Sequence, residues 1–290
     1  MPRTVDEGFR DFLPKLTPSG TESDAAKAHR ASIEARLKRD FGLRRFARIG
    51  SFGNGTSISG YSDVDYLASL GRDTLINNST YSLGKVRDTL ADRFPNTNVH
   101  VSCPAVVVPF GTRKSETTEV VPVDYIGDQN GFYVYDIPDC QGEWMRASPD
   151  AHIAYVAAVN DKLGAKVKPL IRFLKAWKFF RSVPISSFYL ELRVAKYASG
   201  ESSIIYDIDV KRVLRMLWDG QLASMQDPMG VSGYIPACKS DALMADALSK
   251  LATAVTRTEK ALEAKDKGNI YEAFDWWRLL YNNGFPTYYR

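Results

Sequence analysis

The sequence predicts an α+β fold: a mixed sheet with flanking helices, packed against a helical half that follows it. Two observations carry this. β-branched-rich segments such as "NVHVSCPAVVVPF" (98–110) and "TEVVPVDYI" (118–126) are confined to the first half. From Ser148-Pro149-Asp150 onward, an N-cap with proline in the first turn, the patterns are mainly helical to the C-terminus. The expected division is 1–147 and 148–290. A chain of 290 residues, 44% hydrophobic and 25% charged, is long enough for a large core split into two packed halves.

The elements follow in order. Residues 22–41 place Ala25, Ala28, Ile33, Leu37 and Phe41 at helical spacing, with Gly42 as the C-cap. "LRRFARIG" (43–50) reads as a short strand running into the glycine-rich stretch "GSFGNGTSISGYSDVDYL" (50–67). "DVDYLASL" (63–70) is a strand with acids on one face. Leu83, Val86, Leu90 and Phe94 mark a helix that stops at Pro95. "GTRKSETT" (111–118) is a polar connection between the two β-rich segments. Helices are expected over 150–163, 167–181, 187–199, 207–219 and 240–264. In the aromatic tail, Phe274, Trp277, Leu280 and Tyr281 form an apolar face that packs back onto the core, as do Met216, Leu217 and Trp218.

Composition narrows the function. A formal charge of +4 is too slight for a polycation, so any nucleic-acid or nucleotide contact is local. Cys103, Cys140 and Cys238 are scattered and odd in number, and are expected to be reduced packing residues. The N-terminus lacks the apolar segment of a signal peptide and no run approaches the roughly 18 apolar residues of a membrane span, so a cytoplasmic protein is expected. Three histidines (His29, His100, His152) make His-rich metal sites and Ser-His-Asp hydrolysis poor candidates.

The glycine-rich stretch nearly spells a P-loop: Gly50, Gly55 and Ser57 match. Thr56, however, stands in the lysine's place, and no helix-like run follows. The acids that come next suggest different chemistry. Asp63 and Asp65 point to one side of a strand and repel unless a cation sits between them. Hard divalent ions with oxygen ligands answer that need. Asp124, between Val123 and Tyr125 in an apolar strand, is the third candidate acid, and Asp128, Asp136 and Asp139 lie in turn-like sequence. Three carboxylates on neighbouring strands suit two-metal catalysis. Lys168, Arg172 and Lys175 share one face of a helix, an anion-facing stripe if a triphosphate lies nearby.

Gly-Ser, eleven residues, Asp-apolar-Asp-apolar and a later lone Asp resembles the DNA polymerase β-like nucleotidyltransferase superfamily. "GTSI" followed by "SDVDY" looks like its cGAS/DncV-like branch, the CD-NTases of bacterial anti-phage signalling. The stretch "KVKPLIRFLKAWKFFRSVPISSFYLELRVAKY" (166–197) is similar to the same group, with its Leu-Lys-x-Trp helix and its Ser-aromatic before Leu-Glu. The resemblance runs to about residue 199 and implies a polymerase β-like core closed by a helical subdomain. It implies that Asp63 and Asp65 ligate two Mg2+ ions, for which Mn2+ could substitute, and that Asp124 holds the ion activating the acceptor hydroxyl. Gly50 and Ser51 would approach the donor triphosphate, Lys175 and Ser187 would contact its oxygens, and Phe188 would stack on a base. Asn160 is a further candidate for base choice. No insertion like a zinc ribbon is present, so no double-stranded DNA activator is expected.

The function expected is synthesis of a cyclic di- or oligonucleotide messenger from nucleoside triphosphates with release of pyrophosphate, in CBASS-type defence. Partners would be the NTPs and regulatory or effector proteins of a defence operon. Two other readings stay open: nucleotidyl transfer to an RNA, protein or small-molecule acceptor, and a non-catalytic nucleotide sensor.

Overall fold

The computed structural model describes residues 2–18, 24–61, 63–111 and 116–289. Glu22, Ser23, Ser62 and residues 112–115 of the polar connection lie outside the described residues.

Helix α1 (Val5–Leu16) was not expected. Thr4 and Glu7 form a capping box at its start, and Val5, Phe9, Phe12 and Leu16 are buried. Helix α2 (Asp24–Phe41) follows, ending at Gly42, whose φ of +59 is the left-handed C-cap conformation. The elements that follow are β1 (Arg45–Arg48), the single turn α3 (Gly50–Gly53), β2 (Val64–Leu70), α4 (Ser79–Arg93), β3 (His100–Ser102), β4 (Ala105–Phe110), β5 (Glu116–Gln129), β6 (Phe132–Pro138) and β7 (Trp144–Ala147). The segment expected as one strand over 98–110 is a hairpin turning at Cys103-Pro104, and Asp136, expected in a turn, lies in β6.

The strands form one sheet in the order β1-β2-β5-β4-β3, with β6 and β7 continuing beside β5. Only β2 and β5 run parallel among these pairs. One face, carrying Ala68, Leu70, Val106, Val108 and Val120, is covered by Ile33 and Leu37 of α2 and by Leu83, Val86 and Leu90 of α4. The opposite face carries only a small apolar cluster, Leu67, Ala105, Val121, Val123 and Tyr135.

Beyond Ser148, which caps its backbone neighbour Ala151, come α5 (Pro149–Lys162), α6 (Val167–Phe180), α7 (Ser187–Ser199), α8 (Tyr206–Asp219), the small hairpin β8 (Met225–Gln226) and β9 (Tyr234–Ile235), α9 (Asp241–Asp266) and α10 (Ile270–Leu280). Phe274, Trp277, Leu280 and Tyr281 are buried in the core of this half, as expected. Leu217 is buried too, with Met216 and Trp218 packed against that core. Helix α1 belongs to the same core: Phe9 meets Phe173, Trp277 and Phe285 edge-on at 4.9, 4.9 and 5.1 Å. The main sheet ends at Ala147 and mainly helices follow, while α1 packs with those later helices.

The cysteines also differ from expectation. Cys103, in the β3–β4 turn, and Cys140, after β6, form a disulfide with Cα atoms 5.6 Å apart, and only Cys238 is free. They lie 37 residues apart in sequence, and the folding of two hairpins onto β5 brings them together.

Candidate active site

The glycine-rich stretch begins at Gly50, where the backbone turns with φ +58. A Cβ there would collide with the Asp65 carboxylate, so this position requires glycine on two counts. Ile49 donates its backbone N–H to Asp65 O at 2.9 Å, and Ser51 lies in the single turn α3 directly beside the acid strand. Asp63 stands one residue ahead of β2 and Asp65 is its second residue.

The third carboxylate is Glu119, not Asp124. The parallel β2–β5 register sets Asp65 opposite Glu119 and Leu70 opposite Asp124. Asp124 is five residues further along β5, roughly 16 Å away at strand rise. That odd step also turns it to the other face of the sheet. There it pairs with Arg72 at 3.6 Å, which also reaches Asp136 at 3.4 Å. Strand β5 carries four acids, Glu116, Glu119, Asp124 and Asp128, and only the register selects among them.

Asp63, Asp65 and Glu119 perturb one another. The Asp65 carboxyl is pushed up to about 8 by burial, then by the charge of Glu119, a hydrogen bond with it, and the charge of Asp63. Glu119 is raised by burial and by Asp63, while Lys239 and His100 oppose the rise. Asp63 is raised by the protein packed around it, although one side is open to solvent, and a hydrogen bond with Thr117 opposes this. Among the described residues no three His, Cys, Asp or Glu side chains already enclose a metal position. The acids form instead a repelling set that a cation would relieve.

The predicted basic stripe has a different task. Lys175 is 1% exposed and bonds Glu191 at 2.7 Å. Glu191 in turn accepts from Asn54 Nδ2 and Thr56 Oγ1, both at 2.8 Å. Arg172 donates through Nε to Ser57 O at 3.2 Å, and Lys168 Nζ lies 3.8 Å from the position a Cβ would take on Gly55. The stripe therefore clamps residues 54–57 onto α6, with Lys175 sealed from solvent. Asn160 accepts from the backbone N–H of Lys168 at 3.0 Å, so it caps the start of α6 instead of facing a base.

The cation that meets Ser187 is Lys178, one helical turn beyond Lys175, with Nζ 2.6 Å from Ser187 Oγ. Burial, then the charge of Lys175, lowers its pKa to about 8. Both residues line a cavity of about 680 Å3, of the size of small-molecule sites, together with Tyr61, Phe179 and Lys239. Tyr61 follows the glycine turn, and Lys239 is a residue whose charge reaches Glu119, which links the cavity to the acids although none of the three lines it. Phe188 is 40% exposed in the first turn of α7, its ring edge-on to His152 at 4.9 Å. His152 is fixed by Asp227, 3.0 Å away and held well below the usual carboxylate range by His152 and two backbone N–H groups despite its burial. Lys178 and Lys239 escaped sequence reading because their relevance depends on which helix face meets the cleft.

Comparison with known proteins places this geometry. The profile of the Second Messenger Oligonucleotide or Dinucleotide Synthetase domain matches residues 3–160. A probable cyclic nucleotide synthase of Bacillus cereus is 23% identical, covering 81% of this chain and 75% of its own length. A cyclic AMP-AMP-AMP synthase of an Acinetobacter strain is 26% identical, covering 98% and 86%. Among solved structures, CdnC of E. coli MS115-1, determined with ATP and in complex with HORMA-deltaN, superposes with a TM-score of 0.74. Its identity is 18% and 17%, and the match covers 97% of this chain and 98% of that chain.

Proposed function

The chain belongs to the Second Messenger Oligonucleotide or Dinucleotide Synthetase family, the CD-NTases, and from that premise we propose that it joins nucleoside triphosphates into a cyclic oligonucleotide at the Asp63–Asp65–Glu119 cleft. The observation that carries this is the convergence of those acids across the β2–β5 pair, with Lys239, whose charge acts on Glu119, lining a cavity together with Lys178 and Ser187. An acceptor ribose hydroxyl attacks the α-phosphorus of the donor. The new P–O bond forms as the bond to pyrophosphate breaks, and the hydroxyl proton leaves.

Each residue of the chain has a role in that transfer. The turn at Gly50–Ser51 lets the backbone approach the donor triphosphate. Lys178 and Ser187 hold its oxygens, and Lys239 adds charge between the triphosphate and Glu119. Phe188 presents a π face to a base. Lys168, Arg172 and Lys175 act indirectly, by fixing residues 54–57 and so the turn. The acids fit Mg2+ or Mn2+, being oxygen donors whose mutual repulsion a divalent ion removes, and Asp63, Asp65 and Glu119 would hold them. When bound, such ions supply charge neutralisation at the phosphoryl group and a more acidic acceptor hydroxyl.

The substrate set includes ATP, as in the Acinetobacter relative, and the product serves as a messenger in CBASS-type defence. Regulatory partners of the kind captured with CdnC are in keeping with that role. The test is incubation with the four NTPs and Mg2+, followed by mass spectrometry of phosphatase-resistant products. Cyclic oligonucleotides are expected. Products formed only on an added RNA, protein or small-molecule acceptor would overturn the messenger reading.

A further inference from the structure

The sheet face that carries the acids continues past them. Along β5, Glu119, Val121, Val123 and Tyr125 share it, and along β2, Asp65, Leu67 and Ser69. At its far end, roughly 20 Å from Glu119 at strand rise, a second cavity of about 270 Å3 is lined by Arg44, Arg45, Ser69, Tyr125, Tyr133 and Tyr135. We propose that this cavity is a second, non-catalytic nucleotide site, in which tyrosine rings take the base and Arg44 takes the phosphates.

Its parts are built for a planar anion. Tyr125 and Tyr133 meet edge-to-face at 5.5 Å, and Tyr125 and Tyr135 at 6.0 Å, so they form a preset aromatic corner. Tyr135 is buried and forms the floor, while Tyr125 and Tyr133 are 39% and 49% exposed and leave ring surface free for stacking. Arg45 is part of the frame. It binds Asp150 through two bonds of 2.6 and 2.8 Å, donates to Tyr135 Oη at 2.7 Å and lies over the Tyr133 ring. Asp150 neutralises it, which leaves Arg44 as the cation for a ligand. Arg44 is exposed, and its guanidinium makes no hydrogen bond or ion pair among the described residues. Its charge acts at longer range on Asp124, and its Nη2 lies 3.3 Å from the position a Cβ would take on Gly71, beside Asp73. An aromatic corner, an exposed guanidinium and the Ser69 hydroxyl together match a base with attached phosphates better than an uncharged or aliphatic ligand.

The test is the stoichiometry of α,β-methylene ATP on the full chain, by calorimetry in Mg2+. The cleft itself takes a donor and an acceptor nucleotide, so one equivalent more is expected for the wild type than for Arg44→Glu and Tyr133→Ala, both keeping the basal synthase rate. Arg44→Glu should weaken the second site at least about tenfold, the scale of one charged hydrogen bond. Inorganic triphosphate alone should not fill the second site. The same stoichiometry in the wild type and both variants, or full occupancy of the second site by inorganic triphosphate, would overturn the proposal. Should the variants fail to fold, photolabelling of the wild type with 8-azido-ATP, mapped residue by residue, decides. Label at Tyr125, Tyr133 or Tyr135 in addition to the cleft supports the site, and label confined to the cleft overturns it.

Discussion

Five residues of β5 separate two acids with opposite roles. Glu119 faces Asp65 across the parallel pair, whereas Asp124 faces the α4 side and answers to Arg72. Removing charge from Glu119 should therefore cost a transition-state interaction. Glu119→Gln is expected to lower kcat by roughly a hundredfold or more, while Asp124→Asn stays within about threefold of wild type. Steady-state rates of pyrophosphate release check both, and equal losses would refute the assignment. Lys178 adds a pH dependence. Burial lowers its pKa from 10.5 to about 8, so above pH 8 the free protein increasingly holds it neutral, while the unfolded chain stays charged to about 10. Two signs follow. The unfolded chain binds more protons than the native one in that window, so this group's contribution to stability rises with pH between about 8 and 10. A bound triphosphate favours the charged form, so affinity should fall as pH rises through 8, with proton uptake on binding at pH 8 to 9. Calorimetry in buffers of different ionisation enthalpy measures that uptake, and Lys178→Met should abolish it.

At the scale of elements, residues 54–57 of the glycine-rich stretch are held by a helix pair. Asn54 and Thr56 bond Glu191 of α7, which bonds Lys175 of α6, and both members of the ion pair are nearly sealed from water. Breaking one member leaves an uncompensated buried charge. Lys175→Met alone is thus expected to cost roughly 3–5 kcal/mol, and the double change Lys175→Met with Glu191→Gln to recover part of it. Urea unfolding of the three variants tests this, and additive losses would count against the clamp. These elements also show what the sequence could reveal. Helical spacing in 166–197 and alternation in 63–70 were legible, because one buried face imposes a period of 3.6 or 2. The register of β2 on β5 was not, since Glu119 and Asp124 are two of four acids in β5 and either satisfies the same pattern until the parallel pairing is known. Helix α1 was legible in principle: Thr4-x-x-Glu7 ahead of Phe9, Phe12 and Leu16 is a start signal, which Pro14 near the end obscures. The strands β6 and β7 escaped because Gly, Asp and Pro surround short apolar runs there.

The whole molecule has two main cores. The chain leaves the helical core after α1, touches it again at Ile58 of the glycine-rich stretch, and returns to it beyond Ser148. The sheet half has a seam of its own. Strand β5 is 14 residues long and changes partner on one edge, from β4 at Val120 to β6 at Asp124, while β2 occupies its other edge. The Cys103–Cys140 disulfide ties the β3–β4 turn to the segment after β6, bridging that change of partner. Closing a 37-residue loop removes chain entropy from the unfolded state, which the loop-closure account sets at roughly 3–4 kcal/mol. Reduction, or Cys140→Ser, should lower the unfolding free energy of the sheet half by that amount, read as a fall in its urea midpoint. It should leave the synthase rate near wild type at low temperature, because Cys103 precedes β4, four residues before Val107, and the backbone pairing of Val107 with Glu119 does not depend on it. Unfolding curves recorded with and without reductant, in a Cys238→Ser background that removes the remaining thiol, isolate the effect. Identical midpoints would mean that backbone pairing alone holds the seam.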